Sequence, residues 1–419
     1  MRFLIAAPSS GCGKTTITLG LLRAFAQNGV TISGAKSGPD YIDPRFHEAA
    51  CGHPCFNLDA WAMQPERIAR LAASGNLIVE GAMGLFDGAP PAGKGACADL
   101  ARLLDLPVVL VVDAGRMAQS VAPIVQGFAR FDPTVNIAGV ILNNVGSPRH
   151  EVMLRDALAR IDMPIFGAVP RAGTLGTPSR HLGLVQAQER PDLDAFLDTA
   201  AGIMRQNVDL AALAALGSLT QVTKSSPKPS APAQRISIAQ DAAFAFAYPH
   251  LLRDWRTAGA EISVFSPLAD EAAPDCDLIY LPGGYPELYA GQLAGNANFM
   301  QSLMNAPEHT EIYGECGGYM TLGETLTDAE GIVHRMAGLL RLGTSFAARK
   351  LHLGYRNIHA TDGPFKGRWK AHEFHYATTL HAKGTPLFDA TDATDAVLPA
   401  MGLHQGRVSG SFAHIIDRA

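Results

Sequence analysis

The chain has little charge, and neither sign is in large excess. Charged residues make up 17% of its 419 residues, the formal net charge is −5 and the pI is near 6.3. Proteins that grip nucleic-acid phosphates are usually strongly basic, so this balance argues against a nucleic-acid partner. The hydrophobic fraction of 47% is enough for sizeable cores and excludes a disordered chain.

A long hydrophobic run is also missing. No stretch approaches the roughly 18 apolar residues that a membrane-spanning helix needs, so we expect no membrane partner. The first residues are apolar only briefly before a loop rich in Gly and Ser. This start predicts a first β-strand rather than a secretory signal.

Cysteine is sparse, and its six copies are scattered without framework spacing. This usage is typical of free thiols in a reducing compartment, so we expect a cytoplasmic protein. Cys51 and Cys55 bracket His53, but no second pair of candidate ligands accompanies them. We therefore do not predict a zinc site there.

The composition changes sharply over residues 217–234. This stretch is rich in Ser, Pro and Lys and has no apolar periodicity, which is typical of an inter-domain linker. At roughly 100–200 residues per domain, the length suggests two domains. We predict one domain over residues 1–216, a linker over 217–234 and a second domain over 235–419.

Short apolar runs alternate with helical patterns before this linker. The strand candidates are residues 3–7, 76–80, 108–112 and 138–142, and the helix candidates are 15–28, 97–104, 119–131 and 149–159. Continuous apolar runs such as VVLVVD are typical of parallel strands that are covered on both faces. We predict an α/β fold, with a doubly wound, mostly parallel sheet first and a second α/β domain after the linker.

The first strand candidate leads into APSSGCGKTT and then into a helical pattern. The end of this sequence matches the phosphate-loop fingerprint G-x-x-x-x-G-K-[ST], whereas Pro8 stands where the first glycine is usual. Small residues let backbone N–H groups converge on phosphate oxygens, and the helix N-terminus adds its dipole. We predict that Lys14 contacts the outer phosphates of ATP and that Thr15 ligates Mg²⁺. The predicted phosphate-binding residues are Gly11, Gly13, Lys14, Thr15 and Thr16.

Acidic residues that could help to hold Mg²⁺ occur at two further places. Glu80 closes an apolar strand and opens a Gly-rich loop, at the sheet edge where ligands of α/β proteins bind. We predict Glu80 as a metal ligand. Asp40 and Asp43 follow Lys36 in a second cluster, and for Asp43 before a proline a turn or helix-cap role is equally open.

The second domain contains Cys316 between a short strand pattern and two glycines, in the sequence EIYGECGGYM. This setting is typical of a nucleophile elbow, and we expect the helix N-terminus to lower the pKa of the thiol. The amides of Gly283, Gly284 and Gly317 are predicted to form an oxyanion hole. A thiol nucleophile needs a base. His414 is our candidate, with His372 and His375 as rivals.

These motifs together resemble the cobyrinic acid or hydrogenobyrinic acid a,c-diamide synthase family of vitamin B12 biosynthesis. The resemblance covers nearly the whole chain and rests on several long, chemically unusual motifs. In order along the chain they are APSSGCGKTT, GPDYIDPRFH, VEGAMGLFDG, LNNVGSPRH, LPGGYPE, YGECGGYM, HEFHY and GSFAH. In this family the first half is similar to dethiobiotin synthetase and the second half to class I glutamine amidotransferases.

The resemblance implies a glutamine-dependent amide ligase. Cys316 would attack glutamine and release ammonia, with His414 as base, while ATP phosphorylates a substrate carboxylate in the other half. Asp40 and Asp87 match acidic positions near the nucleotide and the reacting carboxylate, with Asp40 a further metal ligand. It also implies that Asn143 contacts adenine and that Lys36 offsets charge on the phosphate. For the polycarboxylate tetrapyrrole the cationic candidates are Arg45, Arg149, His150 and Arg180.

The chain departs from the class I pattern at one position. Class I enzymes often carry a glutamate two residues beyond the catalytic histidine, and that position is Ile416 here. A Cys–His dyad is therefore the expectation, and Asp417 is left unassigned. A homodimer stays open as an assembly.

Three other functions compete with this one. A ParA/MinD-like ATPase would carry a lysine where Ser9 stands and leaves the second half unexplained. Cobyric acid synthase, which amidates other side chains of the same macrocycle, is usually longer. A catalytically dead glutaminase-like module would not need Cys316 with its glycines intact.

Overall fold

A computed structural model describes residues 1–73, 75–171, 179–180, 183–184, 186–217 and 229–419. The chain divides into two compact units, Met1–Ser226 and Pro227–Ala419. Residues 218–228, which form much of the predicted linker, lie outside the described part of the chain. Among the described residues, no helix combines the length and the apolar character needed to cross a bilayer.

The first unit alternates strands and helices along nearly its whole length. Its elements are β1 (Arg2–Ala6), α1 (Lys14–Gln27), β2 (Ile32–Ser37), α2 (Asp43–Cys51), β3 (Phe56–Leu58), α3 (Pro65–Leu71), β4 (Asn76–Glu80), α4 (Cys97–Leu104), β5 (Val108–Asp113), α5 (Val121–Phe131), β6 (Ile137–Val145), α6 (Pro148–Ala159), β7 (Ile165–Pro170), β8 (Ser179–Arg180), β9 (Gly183–Leu184), α7 (Leu193–Asn207) and α8 (Leu210–Ala214).

Seven of these strands form one parallel sheet in the order β3-β2-β4-β1-β5-β6-β7. The predicted α/β fold is confirmed. The run VVLVVD of β5 is buried at five consecutive residues, because a central parallel strand is covered on both faces. Since β1, β2 and β4 are neighbours, the loops that follow them meet at one edge of the sheet.

Close packing, rather than local pattern, explains several residues of this unit. Helix α1 packs on α7 through Gly20, where an added Cβ would lie 2.7 Å from Cγ of Met204. Strand β2 was not among the strand candidates, since ISGAKS has few large apolar residues. Its Gly34 leaves no room for a side chain, because a Cβ would lie 2.8 Å from Cβ of His47 on α2.

The second unit has more strands and shorter helices. Its elements are β10 (Arg235–Ala239), α9 (Pro249–Thr257), β11 (Glu261–Phe265), β12 (Leu278–Leu281), α10 (Ala290–Gly295), α11 (Ala297–Met304), β13 (Glu311–Glu315), α12 (Gly317–Leu322), β14 (Thr325–Thr327), β15 (Val333–Arg335), β16 (Leu342–Ser345), β17 (His352–Ala360), β18 (Gly367–His375), β19 (Thr378–Ala382), β20 (Phe388–Thr391), β21 (Val397–Met401), β22 (Leu403–Gln405), β23 (Val408–Ser411) and β24 (Ala413–Arg418).

Three sheets organise this unit. The central sheet has the order β11-β10-β12-β13-β23-β22 and is parallel except where β22 pairs with β23. A five-stranded antiparallel sheet has the order β21-β20-β17-β18-β24, and a four-stranded sheet contains β15-β14-β16-β19.

A single residue, Phe412, joins β23 of the central sheet to β24 of the antiparallel sheet. Its ring lies 5.3 Å from that of Tyr319 on α12 and stacks at 3.8 Å on that of His375 on β18. The chain therefore leaves the central sheet beside the end of β13 and brings His414 back toward it on a different sheet.

Candidate active sites

The phosphate loop joins β1 to α1 at the carboxyl edge of the first sheet. Gly11 and Gly13 have φ angles of +81° and +92°, which L side chains rarely adopt. Gly13 also has no space for a side chain, because a Cβ would lie 2.2 Å from Nδ2 of Asn143. The backbone angles thus favour glycine at both positions, and small residues let backbone N–H groups approach a phosphate closely.

Lys14 is buried at the start of α1, next to this turn. Its Nζ donates to the carbonyl oxygens of Ser9, at 3.1 Å, and Met83, at 2.6 Å. Burial and, more weakly, the nearby Lys36 ammonium lower the pKa of Lys14, while Glu80 opposes this shift. The ammonium is thus held at the loop by two carbonyls, which a phosphate could replace with full negative charges.

Glu80, at the end of β4, is fully buried and lies at the centre of a polar cluster. Its Oε1 accepts from Oγ1 of Thr15 at 2.6 Å and from Nζ of Lys36 at 2.8 Å. Its Oε2 lies 2.7 Å from Nε2 of His47. Burial alone would raise the pKa of Glu80, but the charge of Lys36 and the bond to His47 hold it well below its usual range. Glu80 is therefore a carboxylate.

The acidic residues after β2 join the same cluster. Asp43, the first residue of α2, accepts from Nζ of Lys36 at 2.5 Å. Burial and the adjacent carboxylate of Asp40 raise the pKa of Asp43 to about 7. Oδ1 of Asp40 accepts from the backbone N–H groups of Ile42, at 2.8 Å, and Asp43, at 3.2 Å. The carboxyl groups of Glu80 and Asp43 thus both contact the ammonium of Lys36.

The donor set of this cluster suits Mg²⁺. The hydroxyl of Thr15 and the carboxylates of Glu80 and Asp40 are hard oxygen ligands, which Mg²⁺ prefers. The ammonium of Lys36 already neutralises part of the negative charge of these carboxylates. One divalent ion that also binds phosphate oxygens would neutralise the rest without leaving the site strongly positive. The residues present therefore fit this ion.

Two predicted residues make contacts within the protein itself. Nδ2 of Asn143 donates to the carbonyl of Cys12 at 2.9 Å, and so supports the phosphate loop from β6. Oδ2 of Asp87 accepts from the backbone N–H of Gly84 at 3.0 Å, beside the carbonyl of Pro8. Thr16 lies in the first turn of α1. The contacts of Asn143 and Asp87 hold the loops of the site in shape. A contact of Asn143 with adenine stays a prediction.

A cavity of about 510 Å³ opens next to the phosphate loop. Residues 8–12 form one side of it, and Asp113, Arg116, Asn144 and Arg171 contribute to the rest. Its lining includes Asn144 rather than its neighbour Asn143, and Nδ2 of Asn144 donates to Oδ1 of Asp113 at 3.0 Å. The cavity is large enough for part of a nucleotide and is bordered by two arginines.

The cationic residues proposed for the macrocycle have varied surroundings. Arg45 pairs with Glu48 at 3.1 Å, and Arg149 is exposed. His150 caps a turn, since its Nδ1 accepts from the backbone N–H of Gly146 at 3.0 Å. The side chain of Arg180 lies outside the part of the chain that the structure describes.

Cys316 lies between β13 and α12 in a strained turn. Its φ of +45° and ψ of −100° are rare for a residue with a side chain. The glycines around it are a steric requirement, because a Cβ on Gly318 would lie 2.0 Å from the carbonyl oxygen of Leu281. The backbone geometry is that of the predicted nucleophile elbow.

The expectation that the thiol pKa would be lowered is wrong for this structure. Cys316 is 2% exposed, and burial raises the pKa of the thiol far above its ordinary value. The nearby Glu287 raises it further, the N–H of Gly317 opposes this shift, and Glu315 and Glu373 make smaller contributions that raise it. The helix dipole is therefore outweighed by desolvation, and the thiol needs a base to lose its proton.

The glycines predicted for the oxyanion hole surround this turn. A Cβ on Gly317 would lie 3.0 Å from the backbone nitrogen of Gly284, so these two residues are neighbours. A Cβ on Gly283 would lie 2.2 Å from Cε1 of His414, so the imidazole stands directly over Gly283. The backbone N–H of Cys316 donates to Ser411 at 2.8 Å, three residues before His414. The end of β23, the turn at Cys316 and the imidazole of His414 thus lie close together.

His414 is fully buried, and burial lowers its pKa to about 3, with smaller contributions from His372 and His375. It is therefore neutral and able to accept a proton. The two rival imidazoles have other partners: Nε2 of His375 lies 3.0 Å from Glu373, and the His372 ring packs edge-on against Tyr355. His372 is nevertheless the direct cross-strand neighbour of His414.

Two residues of these sites were not singled out from the sequence. His47 and Glu315 both lie inside motifs that the sequence analysis quoted, but nothing in the local pattern indicated their partners. His47 reaches Glu80 across 33 residues. Oε2 of Glu315 lies 3.6 Å from Nδ1 of His414, almost a hundred residues away in the sequence. Contacts of this kind arise only from the fold.

Comparison with known families assigns both halves of the chain. Residues 3–185 match the family described as CobQ/CobB/MinD/ParA nucleotide binding domain. Residues 235–418 match the family described as CobB/CobQ-like glutamine amidotransferase domain.

Full-length relatives are similar over both halves. A protein of Brucella abortus biovar 1 (strain 9-941) is 54% identical over 99% of this chain and 98% of its own length. Proteins of Rhizobium meliloti (strain 1021) and Agrobacterium fabrum (strain C58) are 52% and 47% identical over the same shares of the chains. All three are named hydrogenobyrinate a,c-diamide synthase.

Proposed function

Since the chain belongs to the hydrogenobyrinate a,c-diamide synthase family, we propose that it amidates the a and c carboxylates of hydrogenobyrinic or cobyrinic acid. Glutamine supplies the nitrogen and ATP the driving force, as a step of cobalamin biosynthesis. The observation that carries this proposal is the presence, in one chain, of a phosphate loop with a buried carboxylate and of a strained cysteine elbow with a neutral imidazole.

The second unit is proposed to release ammonia from glutamine. His414 takes the thiol proton as the sulfur of Cys316 attacks the side-chain carbonyl, and the N–H groups of Gly284 and Gly317 stabilise the developing oxyanion. His414 then gives its proton to the departing ammonia, which leaves a thioester. Water hydrolyses the thioester to glutamate and restores the thiol. Because burial disfavours a standing thiolate, the proton transfer and the attack are coupled.

The first unit is proposed to activate the substrate carboxylate. A carboxylate is a poor electrophile and hydroxide is a poor leaving group. Conversion to an acyl phosphate removes both problems, because its carbonyl carbon is more electrophilic and phosphate leaves readily. A carboxylate oxygen attacks the γ-phosphorus and ADP leaves; ammonia then attacks the acyl carbon and phosphate departs. Lys14 and Lys36 offset the charge of the transferred group.

Thr15, Glu80 and Asp40 would hold Mg²⁺, which neutralises phosphate charge when bound. Asp43 and Asp87 are proposed to line the path between the nucleotide and the reacting carboxylate. Gly11, Gly13 and Thr16 bind phosphate, and Asn143 keeps the loop in shape while its role toward adenine stays a prediction.

We place the reaction in the cytoplasm, because the six cysteines are free thiols and all of them are buried. The polycarboxylate substrate needs cationic partners, for which Arg45, Arg149 and His150 are candidates. The cobyric acid synthase alternative amidates other side chains of the same macrocycle, and the full-length relatives named above favour the a,c-diamide reaction.

The test is a mass-spectrometric assay of the tetrapyrrole with glutamine and Mg-ATP. We expect two successive mass changes, each equal to the exchange of a hydroxyl for an amino group. Running hydrogenobyrinic and cobyrinic acid in parallel identifies the natural macrocycle. Conversion of neither, with ATP hydrolysis intact, would contradict the proposal.

The division of labour has its own test. Cys316→Ser is expected to abolish glutamine hydrolysis while ammonium chloride still supports amidation, because the nucleophile is needed only to liberate ammonia. Loss of both activities in a variant that folds normally would count against two separate sites.

A further inference from the structure

Strand β24 does not provide the carboxylate that class I glutaminases often place two residues after the histidine. That position is Ile416, which is fully buried and apolar, and its carbonyl accepts from Nε2 of His250 at 2.8 Å. A carboxylate from a different strand, β13, lies near the imidazole instead. Glu315, the residue before Cys316, places Oε2 3.6 Å from Nδ1 of His414, and both side chains are at most 1% exposed.

Two hydrogen bonds fix this carboxylate in place. The hydroxyl of Tyr280 on β12 donates to Oε2 at 2.9 Å, and the backbone N–H of Ile415 on β24 donates to Oε1 at 3.1 Å. Burial and the nearby Glu315 raise the pKa of Tyr280, so it stays a phenol that donates. Donors on both oxygens orient the group as an acceptor, with Oε2 turned toward the imidazole.

We propose that Glu315 is the positioning carboxylate of the glutaminase site, accepting the Nδ1 hydrogen of His414 so that Nε2 faces the thiol as the proton acceptor. This inference rests on the proposed function of Cys316 and His414. It replaces the dyad expected from the sequence with a triad whose third member precedes the nucleophile in the chain.

The proton balance of the step is complete without a further reactant. The thiol proton moves to Nε2 as the sulfur–carbon bond forms, and it leaves with ammonia when the carbon–nitrogen bond breaks. In its ionised form Glu315 exchanges no proton in the step and stabilises the imidazolium that exists between the two transfers, and the positive charge on His414 in turn favours that ionised form. The resting distance of 3.6 Å is long for a hydrogen bond, and such contacts often shorten when substrate binds.

A second carboxylate near the site is already engaged. Oε2 of Glu373 on β18 forms an ion pair with Nη2 of Arg356 at 2.7 Å, and its Oε1 lies 3.0 Å from Nε2 of His375. His414 also faces His372 and His375, whereas Glu315 faces Tyr280 and Tyr313. Glu315 thus lies among phenol groups, and burial raises the pKa of its carboxyl to about 8, although the bonds from Ile415 and Tyr280 oppose this shift.

The test compares Glu315→Gln with Glu311→Gln, a matched change at the other end of the same strand. Glutamine hydrolysis by Glu315→Gln should lose about 100-fold or more in kcat, with KM within about threefold, because orientation of a general base acts on the transition state. The acid limb of its kcat/KM profile should move to lower pH, since the imidazolium loses its partner. Glu311→Gln should stay within about twofold of the parent protein.

Amidation with ammonium chloride serves as the folding readout. A folded Glu315→Gln protein whose kcat for glutamine stays within about threefold of the parent overturns the proposal. If that variant does not fold, Tyr280→Phe decides, because it removes one bond to Oε2; an unchanged kcat would then overturn the role of Glu315. Glutamine hydrolysis by Cys316→Ser would overturn the proposed function itself, so the two failures are distinguishable.

Discussion

Lys14 and Cys316 both lie where a buried strand turns into a helix N-terminus, yet their electrostatic surroundings differ. Around Lys14 the protein keeps permanent charges in contact: Glu80 is ionised and Lys36 lies 2.8 Å from it. Around Cys316 burial keeps the thiol and the imidazole of His414 neutral. In the proposed mechanism the phosphate site is prepared for charge that arrives with its ligand, whereas the glutaminase site creates charge only during the reaction.

The largest expected effect separates the two sites at Lys14. Lys14→Met should lower amidation by about 100-fold or more with either glutamine or ammonia, because both need the activated carboxylate. Glutamine hydrolysis measured without the tetrapyrrole should change less than about threefold. Ammonia-driven amidation at the parent rate would show that Lys14 does not serve phosphate transfer.

A steric change should break the other site alone. Gly283→Ala would put a methyl group 2.2 Å from Cε1 of His414 and displace the imidazole. We expect glutamine hydrolysis to fall by about 100-fold, since small misplacements of a base are costly, with ammonia-driven amidation retained. Gly295→Ala is the control, because a Cβ there meets nothing within 4 Å. Equal activity of the two variants would contradict the placement of His414.

The charge cluster around Glu80 can be weakened without removing a metal ligand. His47→Gln removes the imidazole that lies 2.7 Å from Oε2 of Glu80. The Mg²⁺ concentration for half-maximal ammonia-driven amidation should rise by about tenfold, as for other residues that orient metal-binding carboxylates. An unchanged Mg²⁺ dependence, in a variant with the parent melting temperature, would assign His47 to packing only.

The neutral histidines of the second unit predict an acid-sensitive stability. The pKa of His414 is lowered to about 3, so the unfolded chain binds more protons between that pH and the ordinary value near 6.5. This contribution is present above pH 6.5 and is lost as the pH falls toward 3.

Between pH 7 and 5 the loss is roughly 2 kcal/mol for one such histidine, if no other group compensates. Urea unfolding at both pH values should show a smaller decrease for His414→Asn than for the parent. The pKa of His372 is lowered to about 4 and acts in the same direction, so the decrease should not disappear. A variant with the full decrease would show that His414 is already protonated when folded.

Short-range pattern predicted the parts of each site that lie on one turn. The glycines before Lys14 were recognisable because the turn there has positive φ, and those after Cys316 because the turn leaves no space for a side chain. The strand candidates in the centre of the first sheet agree with the structure to within about three residues at each end, because their apolar runs are long. Strands β2, β3 and β7 of this sheet were missed; β2 is poor in large apolar residues and β3 has only three residues.

The sequence by itself predicted the chemistry, with one turn for phosphate and one sulfur as the nucleophile, and it indicated that two α/β units share one chain. The tertiary structure decided the state of those groups. It raised the pKa of Cys316 by burial, against the expectation from the helix N-terminus, and gave Glu80 its partners Lys36 and His47. It also brought Glu315 to His414 through a change of sheet at Phe412. Solvation and contacts between distant residues depend on the packed fold, and no local pattern records them.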